Sequence, residues 1–390
     1  RTQSQADLIQ QLRQKVLEYD YLAGRLERSQ GEWPGEPADA FDLAPFQRAA
    51  GAALGEKWAA LDYYLSEKTL SLALCTAAGC QIWQREIPAS VRLALRLCHQ
   101  ARRQPPHLTP ADLTALGEWL LPADLVASLS PTTVVLIAPH RQLHAVPWAA
   151  LRWPGQTTYL VESCLPLVTP SLHSWRLLWR REEGRPPEPD RPLPPRGLAL
   201  GVASFGRRHT PLPLVTEEVA AIRAYLDPAS TVLLDSAATW DSLRSLAGEE
   251  GLARFALWHV ASHAYHDPLT GRLSGFALHD RDVWLDEVWQ LAPLPGLVVL
   301  SACQGIQSLI YEGDEPVSLT ATCLAAGART VMGSLWPVLD VETAALMVEF
   351  YKQLSQGQRP AASLALALRQ AIAQGLDVRQ WAGFLCLGLP

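Results

Sequence analysis

The chain has 390 residues, enough for two or three domain-sized units with cores of their own. Hydrophobic residues make up 48% and charged residues 18%, which excludes a disordered chain. The net charge of −6 comes with no basic stripe interleaved with aromatics, so no nucleic acid is expected to bind directly.

The opening, Arg1-Thr-Gln-Ser-Gln-Ala-Asp, has no signal-peptide h-region, and no apolar run is fit to span a bilayer. It lacks an initiator Met, so the chain is expected to be a piece of something longer. The seven cysteines, Cys75, Cys80, Cys98, Cys164, Cys303, Cys323 and Cys386, are odd in number and mostly embedded in apolar segments. That is the pattern of free thiols in a reducing compartment, and the expected location is cytoplasmic.

Residues 1–44 read as an N-terminal helical segment. Leu8, Leu12, Val16, Tyr19, Leu22 and Leu26 form one stripe of an amphipathic helix, which the Pro-rich stretch from Gly31 to Ala40 ends. Residues 45–181 form a first unit. Its strands are expected at Leu61–Leu65, Thr69–Cys75 and Gln81–Trp83, its helices at Pro88–Arg103 and Pro110–Leu129. Strands at Thr132–Ala138 and Tyr159–Val168 and a short helix ending near Arg181 complete it.

Residues 182–196, rich in proline and charge, cannot lie inside a strand or helix and read as a linker. Over residues 197–390 strands and helices alternate. Strands are expected at Leu198–Ala203, Thr231–Leu234, Arg254–Ala261, Phe276–Leu278, Leu297–Ser301 and Thr330–Leu335, and an apolar segment at Phe384–Leu389. This order, with uninterrupted apolar strands, predicts an α/β fold: a mostly parallel sheet with helices on both faces.

In such sheets functional groups gather beyond the carboxyl ends of the strands. Two strands here end in reactive side chains, one running into His263 and one into Cys303. A thiol is a good acyl acceptor only as thiolate, and an imidazole beside it takes its proton and returns it to the leaving amine. If the two strands are neighbours, the pair assembles without proximity in sequence. Backbone N–H groups at the strand ends could hold a developing oxyanion. Taken singly, each residue has a bland reading, a small buried thiol and a satisfied structural histidine. His259 and His263 do not make a metal site: on one strand they lie about 13 Å apart. No cofactor-binding fingerprint appears.

The motifs around these residues are specific. His259-Val-Ala-Ser-His263, Ser274-Gly-Phe-Ala-Leu278, Val299-Leu-Ser-Ala-Cys303 and Ala326-Gly-Ala-Arg-Thr-Val-Met-Gly-Ser-Leu-Trp-Pro-Val338 follow one another. With Pro139-His-Arg-Gln-Leu-His-Ala-Val-Pro-Trp-Ala-Ala-Leu151, Leu212-Pro-Leu-Val-Thr-Glu-Glu-Val219 and Trp381-Ala-Gly-Phe-Leu385, the chain resembles the CHAT family from about residue 45 onward. These are domains related to caspases and separases, often fused behind tetratricopeptide repeats in bacteria.

The resemblance implies a caspase-like catalytic half at 197–390, a degenerate caspase-like half at 45–181 and a leading helix. It implies a cysteine endopeptidase acting on a protein substrate, with Cys303 as nucleophile and His263 as general acid/base, no cofactor, and control by a regulatory protein or an upstream tetratricopeptide-repeat domain. The oxyanion donors would be the N–H groups of Cys303 and Ala264. Ala264 departs from the family, where glycine usually follows the histidine, and this feature favours the alternative of a catalytically silent signalling or scaffold module.

The substrate pocket is assigned to Ser301, Asp314, Trp336 and Asp340. Ser301 is small and neutral, so Asp314 or Asp340 would select a basic residue before the scissile bond. Both also read as a solvated loop or helix-capping residue. The loop from Gln304 to Pro316, with Gly305, Gly313 and an acidic cluster, is either ordered by a partner or held at all times by Tyr311.

Overall fold

The computed structural model describes residues 42–100, 105–126, 129–183, 193–265, 274–301, 309–310, 316–337 and 340–390. The helix expected over residues 4–30, its Pro-rich break and most of the 182–196 linker lie outside the described residues.

Helix α1 (Leu43–Leu54) opens the fold, its first turn capped by the Asp42 side chain. Strands β1 (Trp58–Leu65), β2 (Thr69–Thr76) and β3 (Gly79–Glu86) form an antiparallel meander. Helices α2 (Ala89–Gln100) and α3 (Pro110–Leu120) follow, the second entered through a Thr109–Asp112 capping box. It stops short of the expected Leu129 because Pro122 holds Leu121 extended, at φ −97 and ψ 127.

Strand β4 (Val134–Ala138), strand β5 (Leu165–Val168) and helix α4 (Leu172–Glu182) complete the first half. The strand expected from Tyr159 begins only at Leu165. Leu160–Ser163 is a helical turn instead, fixed by Glu162, whose carboxylate accepts from Tyr159 N at 2.7 Å.

The second half runs β6 (Gly197–Gly201), α5 (Val215–Arg223), β7 (Thr231–Leu234), α6 (Trp240–Ala247), β8 (Leu257–Ala261), β9 (Ala264–Tyr265), β10 (Gly275–Ala277) and β11 (Asp282–Trp284). It continues through β12 (Leu297–Ser301), β13 (Leu309–Ile310), β14 (Pro316–Val317), α7 (Leu319–Ala325), β15 (Thr330–Ser334), α8 (Asp340–Ser355), α9 (Pro360–Ala373) and β16 (Phe384–Gly388).

Eleven strands make one sheet in the order β3-β2-β1-β4-β5-β16-β15-β12-β8-β6-β7. Neighbours are parallel except β1/β2, β2/β3 and β15/β16. Strands β4, β6, β8, β12, β15 and β16 are buried along their whole length, as sheets covered by helices on both faces require. The fold is the mostly parallel α/β sheet flanked by helices that the strand pattern predicts. No helix among the described residues is long and apolar enough to cross a membrane.

The two halves meet where β5 runs parallel to β16 through the pair Val168 and Leu387. Arginines bridge the junction by donating to carbonyls across it. Arg369 on α9 reaches the carbonyls of Val161 at 2.7 Å, Pro131 at 2.8 Å and Cys164 at 3.0 Å. Arg181 reaches those of Leu324 at 3.0 Å and Ala328 at 3.1 Å. Arg369→Met keeps most of the side-chain volume and removes three charged donors. We expect it to lower unfolding free energy by about 2–3 kcal/mol. Urea denaturation should show a lower midpoint at unchanged slope.

Candidate active site

Strands β8 and β12 are neighbours, parallel, in a register that pairs Leu257 with Leu297 and Ala261 with Ser301. The two strands that the sequence ends in a histidine and a cysteine therefore lie side by side. His263 is two residues past Ala261, and Cys303 is two residues past its partner Ser301. Cys303 itself, like Asp314, lies outside the described residues.

After β8 the buried Ser262 hydroxyl donates to Ala277 O at 2.6 Å and turns the chain toward β9. His263 then meets the loop that follows β6. Its Nε2 is 2.7 Å from the carbonyl oxygen of Thr210. A carbonyl only accepts, so Nε2 carries a hydrogen, and in the neutral ring Nδ1 is then the nitrogen with the lone pair. The ring packs against Phe205, with centroids 4.9 Å apart, and against His209 at 5.7 Å. Pro211 restricts Thr210 to extended backbone, which fixes the direction of that carbonyl.

The loop bearing Thr210 is anchored to the small sheet of β9, β10 and β11. Asp282 on β11 accepts from Arg208 Nη1 at 2.9 Å and from His209 Nε2 at 2.9 Å. The Tyr265 hydroxyl lies 2.9 Å from the same His209 nitrogen, so that N–H is shared between carboxylate and phenol. Burial, then the Asp282 charge, raises the Tyr265 pKa and keeps the phenol protonated. Arg208 Nη2 also donates to Leu278 O and His279 O, both at 2.6 Å. None of Thr210, Arg208, His209, Tyr265 and Asp282 was singled out from the sequence. The run Arg207-Arg-His-Thr-Pro211 was the available signal, and it reads as an ordinary polar loop until β6 is known to lie beside β8.

Ala264 sits opposite Phe276 in β9/β10, and Ala277 N donates to His263 O at 2.9 Å. That makes Ala264 and Phe276 a non-hydrogen-bonded pair, whose N–H groups are not used in the ladder. Among the described residues only Arg141 and Asp235 have positive φ without being glycine, so the extended Ala264 needs no glycine-like conformation.

The remaining predicted pocket residues are arranged differently. Ser301 is buried at the end of β12, and its hydroxyl has no hydrogen-bond partner among the described residues. Trp336 is a core residue rather than a pocket wall: it is 1% exposed, its indole N–H donates to Arg379 O at 3.0 Å, and its ring fills the space that Gly383 leaves open. Asp340 is the first residue of α8, its side chain outside the described set.

His259, the other histidine of β8, is fully buried. Tyr351 O–H is 3.0 Å from its Nδ1, and Glu218 Oε1 is 3.3 Å from its Nε2 without hydrogen-bond alignment. In the first half His140 is engaged structurally, its Nδ1 accepting from Leu65 N at 3.0 Å.

Two cavities bear on the site. The larger, about 750 Å³, touches Leu257, Leu297 and Thr330, the first residues of β8, β12 and β15, and so opens at the wrong end of the sheet for strand-end chemistry. The smaller, about 560 Å³, borders His263, Thr210 and Tyr265.

Residues 110–389 match the family model of the CHAT domain. The chain belongs to the CHAT family. The matched span begins at residue 110, whereas the motifs were expected to run from about residue 45. A 94-residue stretch of this CHAT protein is 35% identical to Tetratricopeptide repeat protein 28 of Homo sapiens and covers 24% of the chain. The Mus musculus protein of that name is 36% identical over 94 residues. The chain spans 4% of the length of either relative. Among solved structures, Saccharomyces cerevisiae separase in its complex with securin is similar over 66% of the chain and 16% of separase, with 16% identity and a TM-score of 0.43. The Arg-specific cysteine proteinase gingipain R is similar over 66% of the chain and 63% of its own, with 12% identity and a TM-score of 0.44.

Five of the cysteines in this CHAT protein, Cys75, Cys98, Cys164, Cys323 and Cys386, are buried, and burial raises each thiol pKa, pushing Cys98 and Cys323 up to about 12. At pH 7 a thiol of that pKa is ionised about once in 10⁵ molecules. Cys80 is exposed. A thiol-directed, peptide-like electrophile at pH 7 should therefore label Cys303 first, then Cys80, and the buried five only after denaturation. Mass spectrometry of the digested adduct reads the order, and labelling of Cys303 no faster than Cys80 would count against an activated thiol.

Proposed function

We propose that this CHAT domain is a caspase-like cysteine endopeptidase in which Cys303 is the nucleophile and His263 the general acid/base. The observation that carries the reading is the Thr210 carbonyl, 2.7 Å from His263 Nε2, at the end of the strand paired with the one that leads to Cys303. It commits the imidazole to the tautomer whose Nδ1 can take a proton.

In the proposed reaction Nδ1 accepts the Cys303 proton and the thiolate attacks the scissile carbonyl carbon. The oxyanion is held by the N–H groups of Ala264 and Cys303. The C–N bond breaks as the imidazolium returns its proton to the leaving amine. Water, deprotonated by Nδ1, then cleaves the thioester and regenerates the thiol.

Glycine is the family's usual residue after the histidine, and alanine there suggested the silent alternative. The extended, negative-φ backbone of Ala264 supports the enzyme instead, since no strain separates alanine from glycine in that geometry. Residues 197–390 would act as the catalytic half and 45–181 as its scaffold. Asp314 or Asp340 would favour a basic residue before the scissile bond. Activation would come from a regulatory protein or an upstream repeat domain, a reading supported by the likeness to a tetratricopeptide repeat protein.

Cys303→Ala and His263→Ala should each abolish cleavage of a peptide library while leaving the circular dichroism spectrum unchanged. The double variant should be no worse than either single one, because the two act as a unit. Normal cleavage by a folded Cys303→Ala variant would remove the dyad.

Asp282 acts through the Thr210 loop, so Asp282→Asn should lower kcat by about ten- to a hundred-fold with KM nearly unchanged. Asp282→Glu, which keeps the charge, should recover part of the loss. A change confined to KM would assign Asp282 to binding rather than to positioning.

A further inference from the structure

The 560 Å³ cavity beside His263 is lined by consecutive residues of one loop, Arg207 to Pro211, and by Tyr265. We propose that it binds an aspartate or glutamate side chain of the substrate, one or two residues after the scissile bond, and that Arg207 selects it. The position relative to the bond rests on the peptidase reading.

The charge balance of the cavity carries the first part. Arg208 is bound to Asp282 at 2.9 Å and to two backbone carbonyls, so its charge is neutralised and its side chain fixed. The same Asp282 Oδ1 also accepts from His209, and Asp282 makes no ion pair with Arg207. Arg207 is exposed, lines the cavity and has no carboxylate partner among the described residues. Among the described residues Arg207 is thus a guanidinium without a carboxylate, facing a shallow, largely open cavity in a chain whose net charge is −6. A guanidinium takes a carboxylate in two parallel hydrogen bonds, a geometry that a lysine or an amide cannot match.

The geometry of the histidine carries the second part. The proton that leaves His263 goes to the leaving amine, so the chain after the scissile bond must pass over the imidazole. Nδ1 faces the thiol in the proposed reaction, and Nε2 is held by Thr210. The cavity is lined by Thr210, the partner of Nε2, and by its loop neighbours Arg207 to Pro211, and so borders the Nε2 edge of the ring. It therefore receives residues after the bond, not the residue before it, and is compatible with a basic residue preceding the cut.

The test has two arms. In the first, the chain digests a library of peptides of natural sequence, and mass spectrometry aligns the new N-termini. Asp and Glu should be enriched in the first or second position after the cut, and Arg207→Glu should replace that enrichment by Lys and Arg. Cleavage with no such enrichment, or an enrichment indifferent to Arg207→Glu, overturns the proposal while leaving the peptidase intact.

The second arm needs no turnover. A fluorescent hexapeptide containing two Asp residues, and its Lys counterpart, are titrated against the Cys303→Ala chain at low salt and followed by anisotropy. The Asp peptide should bind about ten-fold more tightly, a difference of the size one charged hydrogen-bonded pair supplies. Arg207→Glu in that background should reverse the order. Selective binding without any cleavage would sink the peptidase reading alone, and equal binding of the two peptides would sink the acidic site.

Discussion

The hydrogen bond from His263 to the Thr210 carbonyl is the constraint on which the site depends, and much of the second half exists to hold its two ends. His263 is delivered by β8, and Thr210 by the loop after β6, the strand on the far side of β8 from β12. Val202 N donates to Ala261 O at 3.0 Å, carrying the β6/β8 ladder one residue past the strand, and Leu212 N donates to Ala203 O at 2.9 Å, closing the loop that contains Thr210. The base of the loop is pinned from β7, where Asp235 accepts from Ala203 N at 2.8 Å and Ser204 N at 3.0 Å. Asp235 has φ 43, a left-handed conformation in which aspartate is tolerated because its side chain bonds nearby backbone. One imidazole orientation thus rests on three adjacent strands and not on local sequence.

The same strand is tied from the helix side. His259, four residues before His263, meets Tyr351 of α8 and Glu218 of α5 inside the core. A polar cluster of this kind is costly to bury, and its Tyr351–His259 hydrogen bond is made only when α8 sits in one position against β8. Here it fixes α5, which follows the Thr210 loop directly, against β8. The motif residues Glu218 and His259 therefore find a use in placing the site from behind.

The parts legible in the sequence are those that a period or a strand end announces. Leu297–Ser301 and the run into His263 are uninterrupted apolar segments, so their ends were readable. That they pair with each other is tertiary information, and only the family motifs pointed to it. The Leu160–Ser163 turn reads as strand in the sequence because its apolar residues look the same in either state until Glu162 is seen to cap it. Trp336 was placed in a pocket because it stands in a motif. Its burial follows from Gly383, whose missing side chain makes room for the indole, and no pattern within either segment predicts that contact. The anchoring loop was illegible for the opposite reason: polar residues without periodicity carry no signal for what they bind.

Ala264 separates the two functional readings on physical grounds. A glycine after the catalytic histidine is indispensable only where the backbone needs positive φ or where a Cβ has no room. Neither holds here: the residue is extended, and its side chain lies buried opposite Phe276 in an ordinary antiparallel pair. What an oxyanion donor must supply is an N–H free of other bonds, and the register of β9 on β10 leaves this one out of the ladder. Had the register slipped by one residue, Ala264 would enter a hydrogen-bonded pair and its N–H would be consumed. Gly275 serves the other edge of β10, where a Cβ would collide with the Val283 carbonyl and push β10 off β11.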